Sequence, residues 1–462
     1  MDPSISAGTS QAWSALGADA SLLDRIVYGG PSGGLPAQLP VMELARATVA
    51  VCSLAAAELT SVRTGRPVPL VRVDDESVAT AFLSDRLVRV DGRAWSTFAP
   101  LSRFWRAADG WVRTHANYPH HRARLLSALG VPGDAGDEAV KAVAGEIAGR
   151  TALEVEDTVY AAGGLAVAAH GPQEWAESEQ GVLVAGQPLL TTARVGDAPD
   201  RVLGDAALPC TGLRVLDLTR VLAGPVATRT LALLGADVLR IDAPQLPEIE
   251  EAHHDTGMGK RSATVDLGDR TGRRVFEELL DEADVVVTGY RPGALDRFGL
   301  APEALAGRRP GLVIAQLSAW GSYGPWHGRR GFDSLVQAAT GIAQLEGSPD
   351  SPGALPAQAL DHGTGYLLAA GVLRALTEQH RTGGTRLVRL ALAQTAHWLI
   401  HDLAPAPGEE DGFDAERRLT ETDSPMGRLR HALPPVSYEG GPVNWARPSG
   451  RWGTDAPVWS GT

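Results

Sequence analysis

A chain of 462 residues, 44% hydrophobic and 21% charged, has material for two or three domains around an ordinary core. Its formal charge of −13 excludes a general binder of nucleic-acid backbones, which needs a dense positive field. Its two cysteines, Cys52 and Cys210, exclude a disulfide framework or a Cys-rich zinc site and fit a reducing cytoplasm. The first residues carry no basic segment followed by an apolar one, and no uninterrupted apolar run approaches the ~18 residues of a membrane span, so neither a signal peptide nor a membrane partner is expected.

Along the chain, residues 1–199 read as helix-rich, with little regular alternation of strand and helix. Residues 200–211, punctuated by Pro, Gly and Asp, read as a linker. From Leu213 the rhythm changes. Residues 213–218 form a short apolar run that predicts a buried strand, the turn at 219–224 follows, and Pro225 suits a helix start because its missing N–H has no partner there anyway. Residues 226–234 predict a helix ended by Gly235, and 236–241 the next strand. Residues 271–283 predict a helix, and 285–287 and 312–315 two further strands. This alternation predicts a doubly wound, parallel, Rossmann-like sheet over 212–400, with ligands outside the carboxyl ends of its strands. Residues 401–462, rich in Pro, Gly and Trp, read as an extended arm.

An internal echo runs through the chain. The stretch from Leu39, an Ala-rich helix and Arg63-Thr-Gly resemble the stretch from Leu355, a second Ala-rich helix and Arg381-Thr-Gly. Two amphipathic helices can look alike by chance; the other reading is a duplication, in which Ala45 stands where the second copy has Asp361. Neither a G-x-x-x-x-G-K-[ST] loop nor a G-x-S-x-G elbow is present. Basic residues cluster at turns: Lys260 and Arg261, Arg291, Arg297, and Arg329 with Arg330. Taken singly each reads as a surface charge; as a set they suit the phosphates of an anionic ligand, with Tyr290 and Trp326 as flat surfaces for a purine. Asp361 opens His-Gly-Thr-Gly and an apolar helix. It reads either as a helix N-cap or as a carboxylate held ionised by the helix dipole and able to attack an acyl carbon.

The motifs Gly212-Leu-Arg-Val-Leu-Asp-Leu-Thr-Arg-Val-Leu-Ala-Gly-Pro, Gly259-Lys-Arg-Ser, Gly289-Tyr-Arg-Pro-Gly, Gly321-Ser-Tyr-Gly-Pro, Gly331-Phe-Asp-Ser and Asp361-His-Gly-Thr-Gly resemble, in order, the class III CoA-transferases, the CaiB/BaiF family of formyl-CoA transferase and carnitine CoA-transferase. The resemblance implies that family's fold, with a smaller α+β domain beside the sheet. It implies Asp361 as the acyl-carrying aspartate and coenzyme A lying along Val221, Leu222 and Ala223, beside Val265 and Asp266, and against Gly289, Tyr290, Arg291, Arg297 and Arg330. No permanently bound cofactor or metal is implied; coenzyme A and acyl-CoA are substrates, exchanged with a carboxylic acid. Two departures stand out. Ala243 replaces a basic residue the family often has after the second strand, and Phe332 replaces the histidine of the related racemases.

The small-domain-like segment also precedes the sheet, where the family normally places it after. With the echo, this suggests a degenerate first copy fused to an active second one, so that a homodimer or a pair within one chain builds the site. The expected chemistry is CoA transfer through an aspartyl intermediate, with backbone N–H groups of Gly363 and Gly365 as oxyanion donors. An acyl-CoA racemase or isomerase using Asp361 as a base, and a non-catalytic acyl-CoA binder, are the alternatives.

Overall fold

The computed structural model describes residues 5–31, 33–95, 98–133, 138–405 and 412–461. Seven strands form one large sheet: β1 (Thr191–Gly196), β2 (Arg214–Leu218), β3 (Asp237–Asp242), β4 (Arg261–Thr264), β5 (Val285–Thr288), β6 (Val313–Ser318) and β7 (Thr385–Ala391). Their spatial order is β4-β3-β2-β5-β6-β7-β1. Neighbours are parallel throughout except at the edge, where β1 runs antiparallel to β7. The order reverses between β2 and β5, which opens a crevice beyond the ends of those two strands.

Alternate residues of each strand enter different cores, as the two-residue period of a strand requires. Val215, Val285, Val287, Val313 and Val388 join one cluster, while Leu216, Leu239, Val286, Ile314 and Leu387 join another under the helices Arg270–Glu282 and Pro302–Arg308. Both faces are covered, which is why these strands read as continuous apolar runs.

Three helices position the site: α1 (Val41–Thr64), α2 (Ala223–Leu233) and α3 (Ala359–Thr382). All three sit in the first cluster. Glycines set how closely they approach. A Cβ at Gly365 would stand 2.6 Å from the carbonyl oxygen of Ala223, and one at Gly371 2.6 Å from Val388. A Cβ at Gly363 would touch Leu44 of α1 at 3.4 Å. Helix α1 is long and apolar enough to cross a membrane by length and composition, yet 83% of its apolar window is buried inside the protein.

The structure revises several expectations. Strand β1, placed by the sequence in the N-terminal region, completes the large sheet, so the boundary near residue 199 falls inside one folded body. The following irregular segment is sewn down by Arg201, whose guanidinium meets Asp284 at 2.6 Å and the Gly311 carbonyl at 2.8 Å. The helix-rich N-terminal region also holds two small sheets. Residues 26–29 pair in parallel with 71–74, and residues 104–106, 111–114 and 166–168 make a small antiparallel sheet over its own core. The tail is more regular than an extended arm: Leu419–Ser424 and Gly427–Ala432 form a hairpin paired to Arg89–Val90. Helices α1 and α3 each contain 24 residues and end before a glycine. Counted from their first residues, Glu43 and not Ala45 shares the position of Asp361.

One buried ion pair joins the two long helices. Arg374 of α3 meets Glu58 of α1, with Arg381 on the other oxygen of Glu58 at 3.0 Å. Removing Glu58 leaves the buried Arg374 guanidinium with Glu378, at 2.9 Å, as its remaining carboxylate partner among the described residues. Glu58→Ala is expected to lower unfolding stability by about 3 kcal/mol. Chemical denaturation checks this, and the double variant Glu58→Leu/Arg374→Leu should recover most of the loss.

Candidate active site

The turn after β2 is fixed from beneath by a buried charge. Asp217 accepts the Thr219 N–H at 2.9 Å and is paired with Lys260 at 3.0 Å, both side chains being fully buried. Burial draws the Lys260 ammonium down to about 8 despite Asp217. Lys260 and Arg261, expected near phosphates, are therefore committed elsewhere; Arg261 is bound to Asp237. Above this pair, Val221 sits at φ 68°, a left-handed conformation unfavourable for a β-branched residue. Gly224 is required because a Cβ there would lie 2.4 Å from Thr219.

A second buried network holds the far side. Arg240 meets Asp242 at 2.6 Å and Glu248 at 2.8 Å. Glu248 in turn accepts the Tyr118 hydroxyl and, at 3.3 Å, the N–H of Val221. Although burial opposes its charge, Arg240 and Arg220 hold the Glu248 carboxyl down at about 2. One carboxylate thus ties the strained turn to a tyrosine from the first half of the chain.

Asp361 is the third residue of α3; Gln358 is the N-cap. The N-cap reading is corrected accordingly. The capping acceptor comes from elsewhere: Asp333 Oδ2 takes the Asp361 N–H at 2.9 Å, and Gln337 donates to its other oxygen. Beyond these first amides the helix pairs its own N–H groups, beginning with His362 to the Gln358 carbonyl at 3.0 Å. Gly363 and Gly365 lie past that point, so their N–H groups are committed to the helix, and these glycines serve close packing rather than an oxyanion.

The Asp361 carboxyl has no hydrogen bond or ion pair among the described residues and opens into a small chamber. Val221, Leu222, Phe332, Asp333 and Gln358 line it from the sheet side; Asp85, Trp95, Phe98, His115, Asn117 and Tyr118 line it from the first half. Burial, then the charges of Asp333 and Asp85, push the Asp361 carboxyl well above its ordinary range. Burial raises Asp333 to about 6, against the amides it accepts. Both shifts oppose the helix-dipole expectation of an ionised Asp361. His115 stacks on Phe332 with ring centres 3.7 Å apart, and burial and Arg113 lower it to about 3, so it is neutral.

The other expected residues follow the carboxyl ends of the strands. Val221, Leu222 and Ala223 follow β2, Val265 and Asp266 follow β4, and Gly289, Tyr290 and Arg291 follow β5. Arg291 and Arg330 make no ion pair among the described residues. Burial, then repulsion from Arg291 and Arg124, pulls the Arg330 guanidinium below its ordinary value. Arg297 is exposed and stacks on Phe298 at 4.6 Å. Asp266 accepts its own loop's Gly268 N–H at 2.7 Å. Arg329 is taken by Glu156, and Trp326 packs edge-on to Trp320 at 4.7 Å, so neither is free for a ligand. The sequence reading missed Asp333, Asp85, His115, Tyr118 and Arg124. Asp333 lay inside a motif already singled out; the others become visible only when the first half folds over the second.

Residues 210–428 match the model of CoA-transferase family III. The probable fatty acyl-CoA transferase Rv3272 of Mycobacterium tuberculosis is 36% identical over 204 residues, 41% of this chain and 52% of its own. The formyl-CoA:oxalate CoA-transferase of Streptomyces coelicolor is 34% identical over 193 residues, 39% of this chain and 47% of its own. A solved CAIB/BAIF family protein from Brucella suis is 28% identical over 48% of this chain and 65% of its own, with a TM-score of 0.38. The chain spans about half the length of the curated relatives it matches.

An acid whose pKa is raised on folding binds its proton more tightly when folded, so its contribution to stability falls as pH rises above the unfolded value of about 4. For Asp333 that loss runs to about 6, and for Asp361 it continues higher. Asp361→Asn removes the buried acid. The variant should be more stable than the wild type at pH 8, with the gap closing toward pH 4, as thermal melts across pH will show.

Proposed function

We propose that this chain, whose residues 210–428 match the model of CoA-transferase family III, moves coenzyme A between an acyl-CoA and a carboxylic acid with Asp361 as the covalent carrier. The observation that carries this reading is the Asp361 carboxyl, without a hydrogen bond or ion pair among the described residues and facing a chamber beside the turn of Val221 and Leu222. In the ionised state an Asp361 oxygen attacks the thioester carbonyl, the C–S bond breaks, and coenzyme A leaves as thiolate from a mixed anhydride. The thiolate then attacks the aspartyl carbonyl and releases the donor acid, leaving an aspartyl-CoA thioester. An acceptor carboxylate runs both steps in reverse. The two thioesters are close in energy, so the exchange balances without a redox partner or nucleotide. Water must be kept out because an anhydride hydrolyses readily, and the partly buried aromatic wall of Trp95, Phe98, Tyr118 and Phe332 suits that need.

Coenzyme A would approach along the carboxyl ends of β2 and β5, where the strand order reverses, as in doubly wound sheets. Arg291 and Arg330, with Arg124 from the first half, would meet its phosphates, which compensates for Ala243. Tyr290, Ala223, Val265, Asp266, Gly289 and Arg297 stay within the proposed cofactor path on the strength of the family pattern.

The first half reads as a degenerate copy that completes this site. Its parallel pair 26–29 and 71–74 flanks α1 and leads into the helix Asp75–Phe82, just as parallel β6 and β7 flank α3 and lead into the helix Leu392–His401. A pair of copies within one chain accounts for a chamber with one wall from each. Deleting the first half would also strip α1 from the core, so point variants test it better. Asp361→Asn should keep coenzyme A binding and lose transfer by about 1,000-fold or more. Arg330→Ala and Arg124→Ala should each weaken coenzyme A binding about tenfold, less so at high salt. Titration calorimetry with free coenzyme A and an isotope-exchange assay check these outcomes. Near-normal turnover in Asp361→Asn would remove the nucleophile from the account.

A further inference from the structure

We infer that the acyl chamber selects monocarboxylic substrates with an uncharged, apolar or aromatic body and rejects dicarboxylic ones. The inference rests on the proposed transferase reading and adds the substrate class of the same site.

The chamber carries three carboxyl groups, from Asp85, Asp333 and Asp361, and among the described residues no lysine or arginine lines it. Asp85 is buried and neither of its oxygens accepts a hydrogen bond; among the described residues its one ion-pair contact is with His362 Nε2, 3.5 Å from Oδ1. The single lining histidine, His115, is buried in contact with Phe332 and offers no positive charge. The remaining wall is largely apolar and aromatic, with Trp95, Phe98, Tyr118 and Phe332 facing Val221 and Leu222. Through Trp95, Phe98, Asn117 and Ile249 the chamber continues into an outer cleft of about 850 Å³. That cleft's one arginine, Arg93, is offset there by Asp91 and Glu251.

These features treat the two ends of a substrate differently. The reacting carboxylate of an acceptor enters when Asp361 is acylated and neutral, so one charge of the acidic wall is already gone. A second carboxylate on the same molecule gains no such relief. It would enter beside the buried carboxyls of Asp85 and Asp333 without a lysine or arginine in the lining to pair with, and unpaired charge next to buried like charge is strongly disfavoured. An alkyl or aryl body instead covers the aromatic wall and extends into the outer cleft. Asp85 is the specificity residue: its oxygens accept no backbone amide of α3, and its carboxylate adds only charge.

The test is identity exchange with the full chain, in which isotope-labelled acid enters its own CoA ester. Hexanoyl-CoA with hexanoate and phenylacetyl-CoA with phenylacetate are compared with succinyl-CoA with succinate and oxalyl-CoA with oxalate. The expected kcat/KM ratio favours the monocarboxylic pairs by about 100-fold or more. Asp85→Asn, with coenzyme A binding as the check that it folds, should shrink that ratio about tenfold. Equal exchange of succinate and hexanoate would overturn the inference and leave the transferase reading standing. A ratio unchanged by Asp85→Asn would also overturn it, because discrimination would then lie outside the acidic wall. No exchange with any of the four pairs would overturn the transferase reading itself, and the inference with it.

Discussion

The site depends on one hydrogen bond, from the backbone N–H of Asp361 to the carboxylate of Asp333. It caps a helix whose own N-cap residue, Gln358, makes no side-chain cap. It also fixes the third residue of that helix at the mouth of the chamber. The same contact concentrates negative charge: Asp333 satisfies the helix start, Asp85 closes in from the other half, and the Asp361 carboxyl has no hydrogen bond or ion pair among the described residues. A cap built from the Gln358 side chain would have held the helix as well, without that electrostatic pressure on Asp361.

Apolar packing of α1 brings the first half against the sheet, and buried polar contacts fix where it sits. Glu58 anchors α1 to Arg374 of α3, and Tyr118 reaches Glu248, which is itself locked to Arg240. Ion pairs in such positions add little net stability over apolar packing, but breaking one is expensive, so they fix one arrangement against all others. The strained Val221 hangs from the same Glu248. Position, charge and strain therefore converge on the turn and helix start that face the chamber.

Much of the sheet was legible because its strands are covered on both faces and read as apolar runs, as at 213–218 and 285–287. Helix α2 was recognisable from Pro225 and Gly235, and Asp361 and the turn of Val221 from their motifs. Strand β1 was not: Thr191–Gly196 is polar and lies at an edge, where only the pairing with β7 defines it. The C-terminal hairpin was hidden for a related reason, since its pairing with Arg89–Val90 joins segments more than 300 residues apart. The roles of Lys260, Arg261 and Arg329 were misread because local sequence does not reveal a distant carboxylate. Arg124 and Asp85 contribute through tertiary placement alone, and no local pattern marks them.

The most direct measurement is peptide mapping after the full chain has been incubated with an acyl-CoA and trapped with hydroxylamine, which converts an activated carboxyl to a hydroxamate. The account predicts the hydroxamate at Asp361 and at no other acid. A hydroxamate on Asp333 or Asp85, or none while exchange proceeds, would contradict it.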